Sequence, residues 1–335
     1  MNDGLRNPGR RRSLKLGLAA LPLLVAPWSN SRAQGGPVGP VRIVVPHSTG
    51  TTPDLIARLL GPGLADHFGT SFVVENRPGA AGVVGCESVA RSLPDGRTLM
   101  LASANLATLP LMYKNLRFDI QKSFDPVANL VSNNFALIVH PSLQVQTFQE
   151  FVAYVKGHPK QLDYASPGTG TFHHLWMEQL SQQLGLQMVH VPYKGQANAT
   201  ADILAGHVNA MFLPIQIATP FADEKRVRML GVVSKERDTN FPTIPTLAES
   251  GAPGFSGESW YAMFAPSGIA PSLAQRYEAQ MHAILSSPKM KDTLAKEAIH
   301  VRSENGEQVR QLMSQEIRKW ERLVKDSKLD LQTGA

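Results

Sequence analysis

Two stretches of this chain repeat one design. In the first, Val41-Arg-Ile-Val-Val-Pro46 runs into His47-Ser-Thr-Gly-Thr-Thr52 and then Pro53-Asp-Leu-Ile-Ala-Arg-Leu-Leu60. In the second, Leu162-Asp-Tyr-Ala-Ser166 runs into Pro167-Gly-Thr-Gly-Thr171 and then Phe172-His-His-Leu-Trp-Met-Glu-Gln-Leu180. Each reads as a strand, a small loop rich in hydroxyls, and a helix. A helix N-terminus carries unpaired N–H groups and a partial positive charge, so a carboxylate or phosphate is favoured there. Two such cradles in one chain imply two lobes closing on one small anion.

Apolar runs between the cradles predict further strands over 72–75, 98–101, 135–139, 188–191, 210–213, 229–233 and 260–265. Helical patterns at 54–66, 82–92, 147–156 and 196–205 alternate with them. This β-α-β rhythm predicts an α/β architecture with parallel sheets and helices on their faces. The Pro- and Gly-rich stretch 241–257 reads as a crossing between lobes. In 271–286 and 306–325, apolar residues recur at three- and four-residue spacing, among them Tyr277, Met281, Val309, Met313 and Trp320. Both segments read as helices with one face on a core.

The N-terminus reads as an export address. Arg10, Arg11, Arg12 and Lys15 precede an apolar run from Leu16 to Ala26, and Ser31-Arg-Ala33 offers small residues at a cleavage site. The string Arg10-Arg-Arg-Ser-Leu-Lys15 also resembles a twin-arginine signal, with Ser13 where an aromatic is usual. Residues 1–33 contain six of the 33 basic and one of the 27 acidic residues, so the mature chain is left with a net charge of +1. The basic character belongs mostly to the discarded peptide, and nucleic acid is not implied. Anion binding must come from local geometry. The single Cys86, beside Val-Val-Gly, reads as a small buried hydrophobe.

In the first loop, Thr52 stands where an N-cap hydroxyl belongs and Pro53 where the first helical residue belongs, with Asp54 in the first turn. Ser48, Thr49 and Thr51 add donors that capping does not require, and His47 and Gly50 complete this candidate site. The second loop contributes Ser166, Gly168, Thr169, Gly170 and Thr171, its glycines permitting turned backbone with exposed N–H groups. His173, in the first helical turn, is placed to hydrogen-bond an anion. Ser103 and Asn105 end a strand of the first lobe, where ligands of open α/β sheets collect. Asp54 either organises its loop or meets a ligand amine. The pair His173-His174 points in two directions along a helix and has no third ligand at a metal spacing. No nucleophile elbow, zinc-protease motif, P-loop or dinucleotide fingerprint occurs, so no catalytic residue, metal or cofactor is assigned.

Several longer strings occur in order: Val73-Val-Glu-Asn-Arg-Pro-Gly-Ala-Ala-Gly82, Pro94-Asp-Gly-Arg-Thr-Leu99, His190-Val-Pro-Tyr-Lys-Gly195, Ala201-Asp-Ile-Leu-Ala-Gly206, Trp260-Tyr-Ala-Met-Phe-Ala-Pro266 and Lys319-Trp-Glu-Arg-Leu-Val-Lys325. With them, the chain from Val41 to about Asp330 resembles the Bug-type periplasmic solute-binding receptors of tripartite tricarboxylate transporters. The resemblance implies a type II periplasmic binding protein fold, two α/β lobes joined by two crossing segments around a ligand cleft. It implies lobe 1 over 35–136 and 257–335 and lobe 2 over 137–256. It also implies a small carboxylate ligand held by N–H groups, hydroxyls and ordered water of the two loops, and membrane subunits of a transporter as partners. The expectation is therefore a monomeric periplasmic receptor, cleaved near Ala33. A sensor feeding a membrane signalling system and an exported enzyme acting on a carboxylate or ester are the alternatives. One departure stands out. The family's first loop typically reads Pro-Phe-Pro-Pro-Gly-Gly-Gly-Thr-Asp, whereas 46–54 here reads Pro-His-Ser-Thr-Gly-Thr-Thr-Pro-Asp. The loop is stiffer and more hydroxylated, so the expected anion carries distal groups unlike those of citrate-type ligands.

Overall fold

The computed structural model describes residues 36–327, 329 and 331. The export segment expected over 1–33 lies outside the described residues. In chain order the elements are β1 (Val41–Val45), α1 (Thr52–Phe68), β2 (Phe72–Asn76), α2 (Val83–Ala90), β3 (Thr98–Ser103), α3 (Leu109–Met112), β4 (Phe124–Asn133), β5 (Phe135–Val139), α4 (Phe148–Gly157), β6 (Asp163–Ser166), α5 (Phe172–Leu184), β7 (Val189–Pro192), α6 (Gln196–Leu204), β8 (Ala210–Pro214), α7 (Ile215–Asp223), β9 (Arg228–Val232), β10 (Ser259–Pro266), α8 (Pro271–Leu285), α9 (Pro288–Lys296), β11 (Ile299–Val301) and α10 (Gly306–Ser327).

The strands form two sheets, ordered β2-β1-β3-β10-β4-β11 and β7-β6-β8-β5-β9. β1 runs parallel to β2 and β3, and β6 runs parallel to β7 and β8. Each cradle loop thus leaves the central strand of a parallel trio. The parallel expectation fails beyond these trios. β10 is antiparallel to β3 and β4, β11 is antiparallel to β4, and β5 is antiparallel to β8 and β9. β5 and β10 arrive from the other lobe without a helical crossover, the connection that parallel pairing needs.

Two segments join the lobes. Asn134 alone separates β4 of one sheet from β5 of the other, and 233–258 carries the chain back from β9 to β10. Asp238, on this second crossing, accepts hydrogen bonds from Nδ2 of Asn134 at 3.4 Å and from Nε2 of His300 on β11 at 2.8 Å. That hydrogen bond pushes the His300 imidazole above its ordinary range.

Helix α10 spans both cores. Val309 and Met313 pack with Phe124 and Trp260 beside the first sheet, while Trp320 and Leu323 belong with Trp176 and Phe212 to the core of the second. Cys86 is buried, and burial pushes its thiol up to about 12.

Candidate ligand-binding cleft

The first loop is built around Asp54, which is 3% exposed. Its Oδ2 accepts the Gly50 N–H at 2.9 Å, and its Oδ1 accepts from Nε of Arg58 at 3.0 Å. Burial alone pushes this carboxyl up, but the bonds from Arg58, Gly50 and Asn76 together hold it below the usual carboxylate range. Asp54 therefore organises the loop and is absent from the residues that line the cleft. The cap shifts by one residue from the sequence expectation. Thr51 is the extended N-cap, Thr52 is the first helical residue, and Pro53 follows it. The Thr51 hydroxyl donates to the Ser48 carbonyl at 2.7 Å, closing the turn on itself. Thr52 Oγ1 accepts from Nδ2 of Asn133 at 3.3 Å, tying the loop to the end of β4. Ser48, Thr49 and Gly50 remain exposed on the cleft wall.

His47 sits under this loop. Its Nε2 shares a hydrogen bond with Ser103 Oγ at 3.2 Å, and its carbonyl accepts from Nδ2 of Asn76 at 3.2 Å. Burial pushes its imidazole down to about 4. Ser103 and Asn105 line the cleft beside it, as expected from the end of β3.

The second loop turns through Gly168 and Gly170 at φ of +153° and +74°. The Gly170 N–H donates to Nδ1 of His174 at 3.1 Å, and Thr171 Oγ1 donates to the Gly168 carbonyl at 2.8 Å. Ser166 is fully buried, bonded to Gly168 and, at 2.7 Å, to Nε2 of His190. Behind it the His174 and His190 rings stack with centroids 3.9 Å apart, and Tyr164 donates to Glu178. Burial pushes the imidazoles down to about 3 for His174 and about 4 for His190. This polar layer supports the loop from below. Accordingly, Gly170, Thr171 and His173 line the cleft, whereas Ser166, Gly168 and Thr169 do not.

The two loops face one cleft of about 1250 Å³. Asn105 reaches across it, its Oδ1 accepting the Phe172 N–H at 3.0 Å, so a first-lobe amide already engages the N-terminus of α5. His173 is 5% exposed, and neither of its ring nitrogens has a hydrogen-bond partner. Burial among Phe135, Phe172 and Trp176 pushes it down to about 3. Both histidines are neutral at physiological pH.

Residues that sequence reasoning missed complete the lining. Gly79, Ala80, Ala81 and Gly82 all have positive φ, and this turn borders the cleft opposite Lys194, Gln196 and Asn198. Left-handed alanines are strained and have no local signature. Among the described lining residues only Lys194 and Glu297 are charged. No group of three or more His, Cys, Asp or Glu among the described residues is arranged to hold a metal.

The family model for "Tripartite tricarboxylate transporter family receptor" matches residues 56–329. The chain belongs to this receptor family. Among solved structures it is similar to R. palustris Rpa4515 with adipate, at 28% identity and a TM-score of 0.81 over 87% of this chain and 98% of that one. The periplasmic binding protein BugD shares 30% identity at a TM-score of 0.79, over 89% and 100% of the two chains. MatC from Rhodopseudomonas palustris, with bound malate, shares 28% at 0.77, over 86% and 99%. The fold is thus that of the periplasmic binding proteins, two α/β lobes around a cleft.

Proposed function

We propose that this receptor captures a small carboxylate in the periplasm and delivers it, as a monomer, to the membrane subunits of a tripartite transporter, with no chemistry of its own. The observation that carries the reading is the convergence of the two loops. Residues 47–52 and 170–173 come from different sheets, end on the N-termini of α1 and α5, and line the same cleft. The exposed Ser48 and Thr49 and the two helix N-termini there suit an anionic head group, and lobe closure strengthens each bond by excluding water. The neighbours that hold adipate and malate support a carboxylate, and the receptor family supports binding without turnover.

Calorimetric titration of residues 34–335 with mono-, di- and tricarboxylates tests this. A carboxylate at a hundred times its Kd adds about 2.7 kcal/mol of stability. A cleft that ignores every carboxylate while taking a neutral or cationic compound ends the proposal.

Gly170→Val is the matching variant. A Cβ at this position lies 2.4 Å from Met112 Sδ, and φ is +74°. Both effects push the second loop out of place where the lobes meet. Affinity falls by about 100-fold or more, a cost of about 2.7 kcal/mol. An unchanged Kd would show that the loop plays no part in binding.

A further inference from the structure

Two histidines reach the cleft from opposite lobes, and neither is explained by the fold. His173 is buried with both ring nitrogens unpartnered, against aromatic faces with centroids at 4.3 Å (Phe172), 5.1 Å (Phe135) and 6.5 Å (Trp176). A buried imidazole without partners is a standing penalty, and a folded core would be served better by phenylalanine. Among the described residues, the His47 ring is hydrogen-bonded to Ser103 Oγ alone. Its ring borders a void of about 10 Å³ shared with Cys86, Ala102 and Asn105, at the lower limit for one water.

On the second-lobe side, His174, His190, Tyr164 and Glu178 form the layer beneath the loop. The Asp54–Arg58 pair holds the first loop from α1, the Cys86 thiol borders the void from α2, and Lys194 and Glu297 stand on the cleft wall. The rings packed on His173 are uncharged. The cleft therefore presents two neutral imidazoles where an anion is to be received.

Resting on the carboxylate reading above, we infer that ligand capture is coupled to proton uptake: a carboxylate closed between the lobes accepts a hydrogen bond from neutral His173 and draws one proton from solvent onto His47. The charged His47 ring donates through Nε2 to Ser103 Oγ and through Nδ1 to the ligand. One N–H bond forms on the ring, one proton leaves bulk water, and the ligand charge is balanced inside the cleft. The direction follows from electrostatics. An opposite charge at hydrogen-bond range raises an imidazole by about 1–3 units, which brings His47, starting at about 4, towards neutrality. His173 starts lower, at about 3, and acts as the neutral donor. The residue at position 47 thereby makes this receptor pH-responsive, and binding tightens as the medium acidifies.

The test uses residues 34–335, adipate and malate as probes, and calorimetry at pH 6.0 and 8.0 in two buffers of different ionisation enthalpy. The wild type binds about 2- to 10-fold tighter at pH 6.0 and takes up protons on binding. His47→Gln still binds but loses both the pH dependence and the uptake. His173→Phe melts at a higher temperature without ligand, binds about 10-fold more weakly, and keeps the proton uptake. Equal affinity at both pH values with no uptake overturns the inference and leaves the carboxylate reading standing. Uptake that survives in His47→Gln overturns the assignment to His47. No binding of either probe at either pH, while a non-carboxylate binds, overturns the carboxylate reading itself.

Discussion

Acidifying the ligand-free protein from pH 7 to pH 5 removes several kcal/mol of its stability. His47, His173, His174 and His190 are all pushed down by burial, to about 4, 3, 3 and 4. In the unfolded chain each titrates near 6.5. Above that value neither state binds the protons and stability is complete. As pH falls below 6.5 the unfolded chain gains protons that the folded chain refuses, and stability erodes until the folded values are reached. Each group contributes at most about 1.4 kcal/mol per pH unit, the half-buried His47 and His190 less than His173 and His174, so the four together reach roughly a few kcal/mol per unit near pH 5. His300 opposes the trend, because its bond to Asp238 raises it and its contribution is fully present below pH 6.5. Glu178, raised by burial, opposes it too. The lowered carboxyls of Asp54 and Asp238 add to the loss only at lower pH. Urea unfolding at half-unit pH steps measures the slope, and His173→Phe should remove about a quarter of it. A stability curve flat from pH 7 to pH 5 would show that these rings are not buried as described.

The largest single-residue loss is expected at Trp320→Ala. Trp320 is 2% exposed in the second core, and Nζ of Lys319 lies 4.3 Å from the centre of its ring. Lys319 in turn donates to the Ser256 carbonyl at 3.3 Å, on the second crossing. Truncation leaves a cavity beneath the second sheet and frees the end of α10 that reaches it. Removing a buried tryptophan costs about 3–5 kcal/mol. Because Val309 and Met313 still anchor the other end of α10 in the first core, the loss falls mainly on the second lobe. Urea unfolding of the variant should split into two steps, the second lobe melting first. A single transition shifted by less than about 1 kcal/mol would place little weight on this helix as a bridge.

The cradles were legible because each is a small, hydroxylated loop between an apolar strand and an amphipathic helix, a contrast that local composition records. Ser48, Thr49, Gly170, Thr171 and His173 were reached that way, and all line the cleft. Strand β4 was missed because Asp125, Pro126, Asn129 and Ser132 break its apolar pattern. Pro126 is tolerated there because it stands at an irregularity of the ladder opposite Phe264, where a missing N–H does no harm. Helix α7 was hidden by Pro214 before it and Pro220 inside it. The roles of Asp54 and Ser166 turn in part on long-range partners, Asn76 in one case and His190 in the other, which spacing does not reveal. The same is true of Asn105, whose side chain finds the Phe172 N–H in the other lobe. Thr51 takes the cap instead of Thr52 because its hydroxyl closes on Ser48 while Asp54 satisfies the Gly50 N–H.

The most direct measurement is a crystal structure of residues 34–335 with the tightest-binding carboxylate from the calorimetric panel. One carboxylate group should lie within about 3 Å of N–H or hydroxyl donors from both loops, with His47 on one side and His173 on the other. A ligand gripped by one lobe alone, or seated away from both loops, would contradict the account.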